Sequence, residues 1–312
     1  MNEQTLIESL SAAGEHTIPK QADVLLLQQL SLDELQGRTR RFISLIQQED
    51  ECAHDSGDWQ VGDDHSVVNL PGGASVAVYH ASGALQYASG LATLASPFKH
   101  CAEKEELVRL LNAGAQKLRL SEWTGTGNEL AFERLFQSKA RGADRKGSTS
   151  DTTLVRAIGA YRQFVGGIPV LGAASAAIRL AGDGQLDTLS VMMRPSAGEV
   201  LDRPAIIAPE VAARQIVLQL SSLSGTGDPE RDTVESAVLR FGYLDLGKRK
   251  TQRVLAPMFV AQVVLRHRHA RQGYVLAVPA TEKTYLQAAL FGTEAVRTAS
   301  RSQVCERTDV IR

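Results

Sequence analysis

The densest chemistry-bearing run in the chain is Arg266-His267-Arg268-His269-Ala270-Arg271. On an extended backbone His267 and His269 project to one face, and Arg266 and Arg268 to the other. Guanidinium forks match carboxylate and phosphate geometry, so the run is a candidate site for an anion or an acidic partner. Its plainer reading is a solvated strand end leading to Gly273. Tyr161 and Phe164 are the aromatic candidates for a ligand or partner surface. With Phe241, Tyr243 and Phe259 they fall on predicted strands, where the same side chains also suit a core.

Three further groups fail on spacing. His54, Asp55, Asp58, Asp63, Asp64 and His65 crowd together, yet match neither a calcium loop nor a zinc pattern. Cys101 precedes a helix start, but Glu103, Glu105 and Glu106 oppose a lowered thiol pKa there. Gly142 to Thr149 resembles a phosphate loop with Lys146 on the wrong side of Gly147, and no apolar strand leads into it. There is no H-E-x-x-H and no G-x-S-x-G. No catalytic residue, metal site or cofactor is expected.

With 312 residues, 43% hydrophobic and 22% charged, the chain can bury one large core or two ordinary ones. A net charge of -1 gives no global field for nucleic acid or an anionic membrane. Three cysteines, Cys52, Cys101 and Cys305, suit a reducing compartment. No signal-like N-terminus or long apolar run is visible. The expected location is cytoplasmic, or extracytoplasmic if the N-terminus is already processed.

The elements that must position these residues follow from periodicity. Residues 1–52 read as an N-terminal helical segment, with Ser31 and Glu34 in capping-box positions. A polar connector spans 54–65. A hairpin follows, with strands over 75–80 and 85–93 turning at Ala81-Ser82-Gly83-Ala84. Leu107, Leu110, Leu111, Gly114 and Leu118 form one helical stripe. Residues 130–139 read as a strand or short helix, and 139–152 as an exposed connection open to proteolysis. Next come a strand over 154–165 and a hairpin over 174–193 turning at Gly182-Asp183-Gly184. Pro209 opens a helix whose buried stripe is Ala212, Ile216, Leu220 and Leu223. Strands are expected over 237–246, 253–265 and 273–279, and a polar tail over 293–312.

SVAVYHASGALQYAS (75–89) matches SAAIRLAGDGQLDTLS (175–190) at an offset near one hundred. Helices 106–120 and 211–223 match at a similar offset. LAFERLFQSKARG then faces VLRFGYLDLGKRK. The shared order indicates an internal duplication. The expected fold is α+β: two tandem units, 66–145 and 150–290, each a helix on one face of an antiparallel sheet.

Tyr161-Arg162-Gln163-Phe164-Val165-Gly166-Gly167-Ile168-Pro169-Val170-Leu171-Gly172 resembles a signature in the propeptides of thermolysin- and fungalysin-type metalloproteases. Residues 209–223, 239–246, 255–260 and 274–278 are similar to the PepSY-like domain that follows it there. The resemblance covers about 150–285. It implies cystatin-like/PepSY-like units with curved sheets, and a role as peptidase inhibitor or as folding or assembly assistant (chaperone). The peptidase itself is missing.

The preferred expectation is a non-catalytic protein that engages a polypeptide through a concave sheet or an open edge strand. The alternative is an enzyme or small-molecule binder with a cavity between the tandem units and Arg266 to His269 near its mouth, in a biosynthetic pathway. A third reading is self-association through sheet edges, giving a homodimer.

Overall fold

The computed structural model describes residues 3–12, 18–47, 59–92, 95–99, 103–125, 127–223, 232–267, 270–287 and 294–296. In chain order, helix α1 (Glu3–Ala12) and strand β1 (Val24–Leu27) come first. The expected N-terminal helical segment thus contains two helices, α1 and α2 (Leu32–Gln47), with β1 between them. Val24-Leu25-Leu26-Leu27 is too short and too evenly apolar for helical periodicity to identify it.

A pattern of one helix and an antiparallel meander then occurs three times. The first is α2 (Leu32–Gln47), β2 (Trp59–Val61), β3 (His65–Asn69), β4 (Ser75–Tyr79) and β5 (Leu85–Ala88). The second is α3 (Lys104–Lys117), β6 (Asn128–Ala140), β7 (Thr153–Val165), β8 (Ile168–Leu171), β9 (Ala176–Leu180) and β10 (Leu186–Val191). Strand β11 (Ser196–Asp202) follows. The third is α4 (Pro209–Leu223), β12 (Asp232–Leu244), β13 (Val254–Leu255), β14 (Pro257–His267), β15 (Ala270–Pro279) and β16 (Glu294–Val296).

The chain folds as two compact units. One comprises Met1–Ala22, Pro204–Phe241 and Pro257–Arg312; the other comprises Asp23–Arg203 and Gly242–Ala256. In the first, the order β16-β15-β14-β12 forms the meander. Helix α4 lies on β14 and β15, and α1 packs on α4. Ala212, Ala213, Ile216, Val217 and Leu220 are the buried side of α4, which Pro209 opens as expected.

In the other unit the first two repeats share one sheet, ordered β6-β7-β9-β10-β5-β4-β3-β2. The divisions 66–145 and 150–290 therefore do not coincide with the compact units. The joint is antiparallel: β5 pairs with β10, Tyr87 opposite Leu189 and Ala88 opposite Thr188. Aligning the two hairpin sequences, with one residue inserted at the second turn, makes Tyr87 equivalent to Thr188 and Ala88 to Leu189. The observed register exchanges these equivalents, as a local two-fold axis between the strands requires. Leu35, Phe42 and Ile43 of α2, and Leu107 and Leu111 of α3, join Val76, Val78, Leu85, Ile178, Leu189 and Val191 in a common core. Gly182 is required at its turn, because a Cβ there would sit 2.2 Å from the Pro97 carbonyl oxygen.

The repeat count corrects the sequence reading. The hairpin similarity relates the first and second repeats. The helix similarity and the LAFERLFQSKARG similarity relate the second and third. The similarities that suggest one duplication thus connect different pairs of the three helix-and-meander segments. The exposed 139–152 segment is the turn between β6 and β7, where Asp144 Oδ1 accepts from the Lys146 and Ser148 amides, each at 2.8 Å.

Among the described residues no helix is long and apolar enough to cross a membrane.

Arg156 and Asp187 form an ion pair at 2.8 Å beside the joint, with side chains only 5% and 10% exposed. Arg156 also donates to the carbonyls of Ala92, Ala95 and Val155, and Asp187 accepts from Ser89 Oγ. Removing one partner of such a buried pair costs about 3–5 kcal/mol. Asp187→Ala is expected to lower unfolding stability by about that amount in urea titration, and Arg156→Met with Asp187→Leu by clearly less.

Candidate functional site

Arg266 lies on β14 opposite Arg271 of β15, and Glu235 of β12 sits between them. Arg271 Nε is 2.7 Å from Glu235 Oε2, and Arg266 Nη2 contacts Oε1. Burial raises the Glu235 pKa, but hydrogen bonds from Arg271 and Arg266 outweigh it and hold the carboxyl below its ordinary value. The anion that two guanidinium groups would recruit is thus already supplied by the protein. The shallow depression around them, lined by Thr233, Glu235, Ser236, Val264, Arg266 and Arg271, is open. His267 ends β14, its side chain lying outside the described residues, as do Arg268 and His269.

Tyr161 is a core residue, 3% exposed. Its hydroxyl donates to Asn112 Oδ1 at 3.2 Å, its ring meets Phe132 edge-on, and burial pushes its phenol pKa upward. Phe164 is half-buried on β7, opposite Glu129 and Pro169. The acidic connector contributes Asp64, which pairs with His65 and, at 2.9 Å, with Arg249. His54, Asp55, Asp58 and the three cysteines lie outside the described residues. Among the described residues no group of His, Cys, Asp and Glu is placed to hold a metal ion. Ser66 Oγ and His80 Nε2 are 2.7 Å apart, but Ser66 is 0% exposed and no substrate can reach its oxygen.

A cavity of about 850 Å³ lies within the unit formed by Asp23–Arg203 and Gly242–Ala256. Its builders were not singled out from the sequence. Helix α2 presents Glu34, Gly37, Arg38 and Arg41, one stripe at i, i+3, i+4 and i+7. The opposite stripe, Leu35, Thr39, Phe42 and Ile43, is buried. The floor is apolar: Leu25 and Leu27 of β1, Val165 and Val170 around the β7–β8 turn, and Leu255 of β13. Trp123, Thr124, Gly125, Asn128 and Gln163 form a wall. Arg194 to Gly198, leading into β11, form the rim.

Local bonding makes these walls firm. The capping box read from the sequence is present: Ser31 N–H donates to Glu34 Oε2 at 2.7 Å, and Glu34 N–H to Ser31 Oγ at 3.3 Å. The Ser31 backbone and hydroxyl are the main causes of a lowered Glu34 pKa. Arg194 is held by Asp245 at 3.0 Å and by the carbonyls of Ala81, Gly247 and Lys250. Arg162 donates to the carbonyls of Val170 and Ala173, fixing the segment after the Gly166-Gly167 turn. Gly242 allows β12 to reach β8, since a Cβ there would lie 2.4 Å from the Pro169 oxygen.

Arg38 donates from Nε to the Gly83 carbonyl at 3.1 Å and from Nη2 to the Met193 carbonyl at 2.9 Å. Its guanidinium lies 4.6 Å above the centre of the Trp123 ring. Burial, then the Arg41 charge, push its pKa down to about 10, so it remains a cation at neutral pH. Arg41 pairs with Glu122 at 3.1 Å and also faces Trp123. The Trp123 Nε1–H is buried without an acceptor among the described residues. The arrangement holds no nucleophile joined to a base. It offers an apolar floor, a fixed cation and an aromatic wall, which suit binding.

No protein-family model matches the chain, and no curated protein matches it.

Because the folded-state pKa of Glu34 lies below its ordinary 4.5, its charge stabilises the fold above that pH and ceases to as pH falls through the folded-state value. Glu34→Gln is expected to lower the melting temperature at neutral pH, with the difference from the parent shrinking as pH falls below 4.5. Thermal unfolding followed by circular dichroism across this range checks it.

Proposed function

We propose that the protein is a non-catalytic polypeptide-binding protein of the propeptide/PepSY-like type, serving as a peptidase inhibitor or a folding or assembly assistant. The observation that carries this reading is the position of the cavity beside an open strand. Among the described residues β11 pairs with β1 alone, at the end of the order β11-β1-β13. Ser196, Ala197 and Gly198 at its start line the cavity, and Leu25 and Leu27 of its partner β1 form the floor. Val200 and Leu201 are 47% and 52% exposed. An extended segment added to β11 takes its main-chain hydrogen bonds from the free edge, and its alternate side chains can enter the cavity.

The resemblance over 150–285 points the same way. The Gly167-Ile168-Pro169-Val170 words that carry it lie at β8, against the cavity floor. The repeated helix on an antiparallel meander accords with the cystatin-like units that the resemblance implies. A second reading, a small apolar ligand, is favoured by the cavity volume, which falls in the range of small-molecule sites.

Replacing Val200 and Leu201 together by lysine tests the reading, since lysine on an edge strand blocks strand addition. Both side chains are exposed, so unfolding stability is expected to change by no more than about 0.5 kcal/mol each. Peptides selected on the parent protein from a displayed random library are expected to lose binding at least tenfold (about 1.4 kcal/mol). Unchanged peptide affinity in the double variant would remove β11 from the function.

A further inference from the structure

We infer that the cavity beside β11 recognises an acidic side chain: the segment that adds to β11 presents an Asp or Glu carboxylate to Arg38. The inference rests on the polypeptide-binding reading and adds the chemistry of the occupant. Three arginines line the cavity. Arg194 is consumed by Asp245 and three carbonyls, and Arg41 by Glu122. Arg38 differs from both. Its two bonded nitrogens meet neutral carbonyl oxygens, and no carboxylate among the described residues forms an ion pair with it.

Nη1 of Arg38 has no hydrogen-bond partner among the described residues. The acids in the lining are engaged elsewhere, Glu34 by Ser31 and Gln28, Glu122 by Arg41 and Arg119, and Asp245 by Arg194. The charge is therefore half-buried and uncompensated, with Arg41 as its charged neighbour, and an incoming carboxylate is its electrostatic complement.

Geometry supports the same occupant. The Trp123 ring fixes the guanidinium plane, and bonds to Gly83 and Met193 fix its rotation, so the donor edge is set in advance. Gly37, the residue before Arg38, leaves the approach clear: a Cβ there would meet nothing within 4 Å. The apolar floor of Leu25, Leu27, Val170 and Leu255 receives a neighbouring aliphatic side chain of the same segment.

The test uses the full chain and a phage library of random peptides displayed without a free C-terminus. Selected peptides are then synthesised with amidated C-termini. Enrichment of Asp or Glu at one fixed position is expected, and replacing that Glu by Gln should weaken binding about tenfold. The tenfold penalty should vanish in Arg38→Gln, which binds both peptides alike, and persist in part in Arg38→Lys. If Arg38→Gln does not fold, the penalty in the parent protein and its reduction in Arg38→Lys decide the matter. Selected peptides without an acidic position, or a Glu→Gln penalty undiminished in both variants, would overturn the inference and leave polypeptide binding standing. Binding only by peptides with a free C-terminus would overturn it in favour of terminus capture. Failure to select any peptide would overturn the polypeptide reading itself, and this inference with it.

Discussion

The pairing of β5 with β10 is the interaction on which the larger unit depends. A helix on a four-stranded meander has an open edge at each end, and each edge is a row of unpaired amides and carbonyls. Joining two such meanders edge to edge removes two of the four. It also brings the α2 and α3 faces over one sheet, so that Phe42 and Leu111 belong to a single core. The joint is short, four residue pairs from Thr188↔Ala88 to Val191↔Leu85, and backbone pairing alone would leave it weakly specified. Two things fix its register. Leu85, Leu189 and Val191 must face the helices. Arg156 reaches from β7 to Asp187 near the start of β10, Asp187 accepts from Ser89 after β5, and Arg156 donates to the carbonyls of Ala92 and Ala95. A register slip would turn the apolar set outward and separate this buried pair.

The edges that remain are protected differently. At β6 the inward Leu130, Phe132 and Leu135 pack on the core. Glu129, Glu133, Arg134 and Lys139 punctuate the rest, and register shifts occur after Phe132 and after Ser138. Charges and bulges of this kind discourage strand addition. Strand β11 carries two carboxylates, Glu199 and the terminal Asp202, on either side of the exposed Val200 and Leu201.

Much of the fold was legible in the sequence because it rests on local rules. Pro209 at a helix start, the Ser31–Glu34 box, the alternation from Ala176 to Leu180 and the Gly182-Asp183-Gly184 turn each depend on a few consecutive residues. The repeat number was not legible, because each recognisable similarity joined a different pair of copies. Strand β1 was missed because four apolar residues carry no period. The cavity was missed for a related reason. Nothing in the sequence near Arg38 and Arg41 announces a partner, and only the tertiary fold brings Trp123 beneath them. The Arg266 run was conspicuous because its charges are adjacent in sequence. Adjacency said nothing of Glu235, thirty-one residues earlier, which meets Arg266 and Arg271 in the folded chain.

Four short strands join α2 and the β6–β7 region in building the cavity. Strands β1 and β11 lie outside the three repeats, β8 and β13 are short additions within the second and third, and Leu25, Leu27, Val170, Ser196 and Leu255 from these four line the same space. A repeat unit must bury its helix face against its sheet, so its residues are constrained by packing and have little freedom to change. Strands added outside that pattern carry no such obligation. They need only attach: β8 to the end of β7 and to β12, and β11 and β13 to either side of β1. Their side chains are then free to be chosen for what enters between them. The Gly166-Gly167-Ile168-Pro169 segment falls on β8 and its turn, one of these additions, although glycines and a proline make it look like simple chain punctuation. On this view the repeats supply rigidity, the added strands supply the recess, and Arg38 is the point where the scaffold contributes a charge to it.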